Sequence, residues 1–124
     1  MNIITFLGRN TENIINDARS VVSGIYKEEV SRVIVVTREN DNITPPQGCE
    51  VIYGSKDLYI TSDDNSGELQ DYLNPLLTGD GDYFVVANGG TTSQCLPVLK
   101  ALVDNGINFS AWDVQAENEA YRVW

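Results

Sequence analysis

The most constraining feature of the chain is a strand, a turn and a helix in immediate succession between Tyr83 and Gly106. The apolar letters YFVVA meet the turn NGGTT, and the amphipathic pattern SQCLPVLKALVDNG follows. Gly89 and Gly90 permit positive φ and let another molecule approach the backbone closely. Because the free N–H groups and the positive dipole end of the helix point out of the turn, the segment predicts a seat for an anion such as phosphate.

The same turn also has a purely structural interpretation. A Gly-Gly turn can exist solely because it lets a helix and a strand pack closely. A glycine motif by itself is therefore weak evidence of a ligand site. The pattern therefore leaves both interpretations open. Pro97 is tolerated only near a helix start, so the helix is expected to begin around Thr92 or Ser93 and to end at Gly106.

The first part of the chain predicts a βαβ unit. Ile3 to Leu7 form a short β-type run, and apolar residues recur at helical spacing from Ile14 to Ile25, with Asn10 or Thr11 placed to cap the helix. Arg32 to Val36 are a continuous β-branched run, which is typical of a central parallel strand.

The remaining elements complete an α/β pattern. The sequence indicates two short strands, at Glu50–Tyr53 and Leu58–Thr61, and a helix with one apolar stripe at Leu69–Leu77. Near the end of the chain it indicates a half-buried strand at Ile107–Val114 and an edge strand at Tyr121–Trp124. Together these predict one α/β domain over residues 1–124. We expect a Rossmann-like three-layer arrangement, with a mostly parallel sheet and helices on both faces.

The charge and the absence of histidine limit the possible functions. Eight basic and 18 acidic residues give a net charge of −10, which repels long nucleic acid, although acidity can also serve solubility alone. There is no histidine, which removes histidine triads, Cys-His pairs, histidine phosphotransfer and most zinc sites. Any catalysis must use carboxylates, hydroxyls, Lys, Tyr or Cys.

The sequence predicts a cytoplasmic protein without a membrane span, a metal or a cofactor. No apolar run approaches the roughly 20 residues of a transmembrane helix, and the N-terminus lacks a secretory pattern. Cys49 and Cys95 lie far apart without CxxC spacing, so free thiols in a reducing compartment are expected. A helix start stabilises a thiolate at Cys95, but a buried structural cysteine is favoured. The Asp63-Asp64 and Asp80/Asp82 pairs are interpreted as solvated turn residues.

The candidate ligand site lies at the carboxyl ends of the strands, where open α/β sheets bind ligands. If the first strand and the Tyr83 strand are neighbours, the loops that follow them converge on one crevice. Arg9 is the best cation for a phosphate because its planar fork binds two oxygens. The structural alternative for Arg9 is an exposed arginine in a loop. The structural alternative for Asn10 and Thr11 is that they only cap the first helix. The predicted ligand-binding residues are Gly8, Arg9, Asn10, Thr11, Arg38, Asn88, Gly89, Gly90, Thr91, Thr92 and Ser93.

Two segments resemble CRISPR-associated Rossmann-fold (CARF) sensor domains. They are the opening strand and turn, IITFLG at residues 3–8, and the later NGGT at residues 88–91. The resemblance implies a homodimer that binds cyclic oligoadenylate in antiviral defence, and some relatives cleave the ring. This chain has Thr92 where the family often has Lys or Arg, which weakens the case for ring cleavage and, to a smaller extent, for binding. No effector domain follows, so a sponge, a small regulator or a ring nuclease is expected.

A second segment, LLTGDGDYFVVANGGTTSQCLPVL at residues 76–99, is similar to mannose-family phosphotransferase IIA domains, which are also dimeric α/β proteins. Their phospho-accepting histidine ends the first strand, where this chain has Gly8-Arg9-Asn10. Since there is no histidine, that similarity supports the fold and not the phosphotransfer activity.

The leading hypothesis is binding of a cyclic oligonucleotide second messenger by a homodimer. A slow, metal-independent ring nuclease would position the ribose 2′-hydroxyl for in-line attack, with Arg9 and the turn amides stabilising the developing charge. Binding without rapid turnover is favoured, because neither turn carries an evident general acid or base. The competing hypothesis is an acidic protein-interaction or inhibitor module that docks a basic partner and binds no small molecule.

Overall fold

A computed structural model describes residues 1–6, 11–38, 49–54, 74–75, 77, 81–90 and 92–124, and for 37–38, 49–54 and 92–94 it describes the backbone alone. The strands are β1 (Asn2–Phe6), β2 (Arg32–Arg38), β3 (Cys49–Gly54), β4 (Tyr83–Val86), β5 (Phe109–Ala116) and β6 (Glu119–Arg122). Within the described residues the helices are α1 (Thr11–Ile25) and α2 (Thr92–Asp104), and a 3-10 turn, Ala87–Gly89, follows β4.

The six described strands form one sheet in the order β3-β2-β1-β4-β5-β6. The pairs β1–β2, β1–β4, β2–β3 and β4–β5 are parallel, and β6 alone runs antiparallel to its neighbour β5. The strand order therefore reverses between β1 and β4. These pairings confirm an α/β fold with a mostly parallel sheet.

The two described helices pack on opposite faces of the sheet, because side chains alternate along each buried strand. Ile3, Val33 and Phe84 lie in one apolar cluster with Ile15, Ala18, Val21 and Val22 of α1. Ile4, Ile34 and Val85 lie in the other cluster with Cys95, Val98, Ala101 and Leu102 of α2. Each of the larger buried side chains contributes about 1.5–3 kcal/mol relative to exposure.

Several element boundaries agree with the sequence. Helix α2 begins at Thr92 as predicted, with Pro97 in its second turn, and β3 contains the predicted strand Glu50–Tyr53. The predicted strand Leu58–Thr61 lies outside the described residues, and so does most of the predicted helix Leu69–Leu77. Among the described residues, no helix has the length and apolar character needed to cross a membrane.

The two strands at the end of the chain differ slightly from the prediction. Strand β5 begins at Phe109 instead of Ile107, since Ile107 belongs to the helix end described below. Strand β6 ends at Arg122, because the N–H groups of Val123 and Trp124 both donate to the carbonyl oxygen of Ala111. Two residues there oppose one, which interrupts the regular ladder.

Gly106 terminates α2 in a left-handed conformation, with φ of +65°. The N–H of Ile107 donates to the Leu102 carbonyl and the N–H of Gly106 donates to the Val103 carbonyl, each over 3.0 Å. This is the Schellman arrangement, which satisfies carbonyl groups that the helix end leaves unpaired. The predicted helix end at Gly106 is confirmed.

Two glycines at helix ends are expected to respond to alanine in opposite directions. Gly106→Ala should lower the free energy of unfolding by about 1 kcal/mol, because a Cβ is disfavoured at positive φ. Gly24→Ala, in the last turn of α1, should raise it by about 0.5 kcal/mol, because a Cβ there meets no atom within 4 Å and alanine favours the helix. Urea unfolding measures both changes, and a stabilising Gly106→Ala would contradict this account of the helix end.

Candidate functional site

The candidate site is built where the strand order reverses. Strands β1 and β4 are direct neighbours, with Asn2 opposite Tyr83 and Ile4 opposite Val85. Their carboxyl ends, Phe6 and Val86, therefore lie side by side, and α1 and α2 both begin shortly after these ends. The condition on which the predicted site depends, that the two strands are adjacent, is met.

Gly89 is a glycine because the turn passes very close to β1. A Cβ at this position would lie 2.7 Å from the Oγ1 atom of Thr5 and 3.5 Å from the backbone nitrogen of Phe6. The first distance is too short for any real Cβ, so a side chain would force the turn and β1 apart. Gly89 thus holds the turn against the central strand.

Gly89 and Gly90 permit positive φ, but neither adopts it. Gly90 is extended, with φ of −143° and ψ of −175°. Among the described glycines, the positive-φ positions are Gly81 and Gly106. Close packing, and not a left-handed backbone, explains the first glycine of the pair.

The hydroxyl group of Thr5 lies beneath this turn. Thr5 is fully buried, and its Oγ1 atom has no hydrogen-bond partner among the described residues. Buried hydroxyl groups are normally paired, since leaving one unpaired costs about 1–3 kcal/mol. An unpartnered polar atom therefore sits at the reversal point, beside Gly89.

Asn88 joins the turn to β5 through its side-chain amide. Its Nδ2 donates to the Val114 carbonyl over 2.8 Å, and the Val114 N–H donates to its Oδ1 over 3.0 Å. The side chain thereby continues the β4–β5 pairing beyond Val86 and Trp112, next to an irregularity in β5. This gives Asn88 a structural role, and its contact with a ligand stays a prediction.

The other predicted site residues are described to different extents. Thr11 is the buried first residue of α1. The backbone of Arg38 pairs with Gly54 at the carboxyl end of β2, which is the same end of the sheet as the reversal point. Thr92 and Ser93 are the first two residues of α2. For Arg38, Thr92 and Ser93 the structure describes the backbone alone. Gly8, Arg9, Asn10 and Thr91 lie outside the described residues.

Cys95 belongs to the core. It is buried in the cluster on the α2 side of the sheet, and it is a free cysteine. Burial raises the pKa of its thiol above the ordinary value, so the thiol is protonated at neutral pH. This environment agrees with the structural interpretation and opposes the activation that a helix start would otherwise provide.

A polar and aromatic cluster on the α1 side of the sheet was not predicted from the sequence. Ser110 accepts a hydrogen bond from the Trp112 Nε1–H over 2.8 Å and pairs with the Tyr26 hydroxyl over 3.0 Å. Phe84 stacks on Trp112 with ring centroids 5.4 Å apart. A cavity of about 320 Å³ opens beside Tyr26 and Ser110. These groups are far apart in the sequence, so only the alternation of β5 hinted that they meet.

Comparisons with known proteins find no match for this chain among protein-family models, curated proteins or solved structures. The described part of the chain also contains no group of three or more His, Cys, Asp and Glu residues placed to hold a metal ion. The function is therefore inferred from the residues at the reversal point.

Substitutions at Gly89 and Thr5 should be energetically coupled. Gly89→Ala should lower the free energy of unfolding by about 1–3 kcal/mol, because the new Cβ collides with Thr5 Oγ1. In a Thr5→Ala background the same change should cost clearly less, since the colliding oxygen is gone. Urea unfolding of the four proteins gives the coupling energy.

The matched control is Thr5→Ser, which keeps the oxygen atom. Gly89→Ala should cost nearly as much in that background as in the original chain. Equal costs of Gly89→Ala in all three backgrounds would show that the turn does not press on the Thr5 hydroxyl.

Proposed function

We propose that this domain binds a phosphate-bearing small molecule across the carboxyl ends of β1 and β4, within a Rossmann-like three-layer arrangement. The observation that carries the proposal is the reversal of strand order between these two strands. Open α/β sheets bind ligands outside the carboxyl ends of strands at such a reversal. Helix α2 begins at Thr92, directly beyond the glycine turn, so its first N–H groups are available to an anion.

The Thr5 hydroxyl supports the same location independently of the helix. It is a fully buried polar atom without a partner among the described residues, and it lies beside Gly89 at the reversal point. Because the glycine turn covers the fully buried Thr5, a phosphate oxygen or a ligand hydroxyl would supply the missing hydrogen bond only when the turn shifts on binding. Because stability alone does not favour such an atom, its presence suits a role in binding.

The candidate ligand is a cyclic oligonucleotide of the cyclic oligoadenylate class, as the resemblance to CARF domains implies. A chain with a net charge of −10 repels a polyanion at long range. The ligand must therefore be held by local donors, namely the turn amides around Gly90 and the guanidinium of Arg9. Binding without rapid turnover fits this set, because hydrogen-bond donors and a cation stabilise phosphate but do not transfer protons.

Thermal unfolding with a ligand panel tests the proposal. A cyclic oligoadenylate should raise the unfolding temperature, with a stabilisation of about 2.7 kcal/mol at a ligand concentration 100-fold above Kd. Cyclic dinucleotides and linear oligoadenylates complete the panel. No shift with any of these ligands, in a protein that unfolds cooperatively, would contradict the proposal.

The variant Arg9→Ala/Gly90→Asp should abolish the shift while the fold survives. Gly90 has an extended backbone that a side chain tolerates, so aspartate there tests charge at the site. Lys100→Ala is the control for the loss of one cation, because Lys100 is exposed and pairs with Asp104 on α2. Thr5→Val should keep or raise stability in the absence of ligand and weaken binding. Recovery of the ligand after denaturation distinguishes intact from cleaved rings.

A second candidate function, an acidic interaction or inhibitor module, is favoured by the excess of 18 acidic over 8 basic residues. Such a module would occupy a basic groove of another protein, and its association would weaken steeply with salt. Association with a basic partner protein that persists in Arg9→Ala/Gly90→Asp but is lost at high salt would favour this function over ligand binding.

A further inference from the structure

The exposed large apolar side chains of the described chain are concentrated on α2 and the C-terminal strand. Leu96 and Val103 of α2 are 56% and 57% exposed, and Tyr121, Val123 and Trp124 are 58–63% exposed. Among the described residues that are large, apolar and exposed, Ile25 alone lies elsewhere, at the end of α1. We call Leu96, Leu99, Val103, Tyr121, Val123 and Trp124 the apolar edge surface.

The helical half of this surface is a stripe beside the buried face of α2. Cys95, Val98, Ala101 and Leu102 enter the core, and Leu99 is partly buried against the same cluster. Leu96, Leu99 and Val103 are spaced by three and four residues, so they lie one above another along the helix. The stripe therefore continues from the core edge at Leu99 to exposed positions at both ends.

The strand half of the surface lies on the same side of the sheet. Ala120 packs on the α1 side of the sheet, so the alternation of β6 turns its neighbour Tyr121 to the α2 side. Trp124 stacks on Phe109 with ring centroids 6.2 Å apart, and Phe109 packs against the cluster on the α2 side. The apolar edge surface thus consists of one flank of α2 and the β6 edge of the sheet, both on the α2 side of the sheet.

Size and charge indicate the occupant. The five exposed side chains present on the order of 600 Å², at the upper limit for a monomer and near the roughly 800 Å² that each partner buries in a standard interface. Helix α2 carries one basic and one acidic residue, Lys100 and Asp104, and β6 carries Glu119 and Arg122. These two elements contribute no net charge, although Asp113 on β5 adds one acidic group beside Tyr121.

We propose that a second copy of this chain docks on the apolar edge surface around a two-fold axis. Two copies that each carry a charge of −10 repel one another least where the contacting elements are neutral and apolar. A two-fold axis places the same patch on both sides, and aromatic residues such as Tyr121 and Trp124 are typical interface anchors. Strand β6 is the last described strand of the sheet, so its outer edge also faces the second copy. This proposal does not depend on ligand binding.

Sedimentation velocity of the full chain, from low-micromolar to sub-millimolar concentration, tests the proposal. The original chain should form a dimer, and Val103→Lys should raise its dissociation constant by roughly tenfold or more, since a charge would be buried in the interface. Ile25→Lys is the matched control, because Ile25 is 53% exposed and also lies in the last turn of a helix. It should leave the dimer unchanged.

Val123→Lys is the second variant, and its lysine lies on the strand half of the surface. Circular dichroism and thermal unfolding confirm that each variant is folded, so a monomeric variant reports the interface and not the fold. A monomer at every concentration of the original chain would overturn the proposal. So would equal dissociation constants for Val103→Lys and Ile25→Lys.

Discussion

The pairing of β1 with two parallel neighbours is the constraint on which the rest of the structure depends. Strand β1 lies between β2 and β4, and all of its residues are buried. Its side chains alternate between the two apolar clusters, so this short strand packs against α1 on one face of the sheet and against α2 on the other. The pairing with β4 also creates the reversal of strand order, which is where we place the ligand.

The reversal point combines features that stability alone does not favour. Gly89 gives the turn a contact with β1 that no larger residue allows, and the Thr5 hydroxyl beneath it has no partner among the described residues. Asn88 anchors the other side of the turn to Val114 by two hydrogen bonds. A turn that is fixed from both sides presents its N–H groups in one geometry, which favours the binding of a defined anion.

Features that depend on local chemistry were predictable from the sequence, and features that depend on long-range contacts were not. The β-branched run from Arg32 specifies a buried parallel strand, and Gly106 specifies a helix end, because strand burial and left-handed backbone each select residue types directly. The sequence alone did not decide whether the first strand and the Tyr83 strand are neighbours, and the predicted site depended on that adjacency. The bonds of Asn88 and the collision distance at Gly89 arise from segments far apart in the chain, so no local pattern encodes them.

The most direct test of this account is a titration of the ¹⁵N-labelled protein with a cyclic oligoadenylate, followed by amide chemical shifts. We expect the largest shift changes at Thr5, Phe6, Gly89, Gly90 and Thr92, at the carboxyl ends of β1 and β4. Ser31, Asp82 and Asn108, at the opposite end of the sheet, should change little. Changes concentrated at that opposite end, or the absence of any change at saturating ligand, would contradict the proposed site.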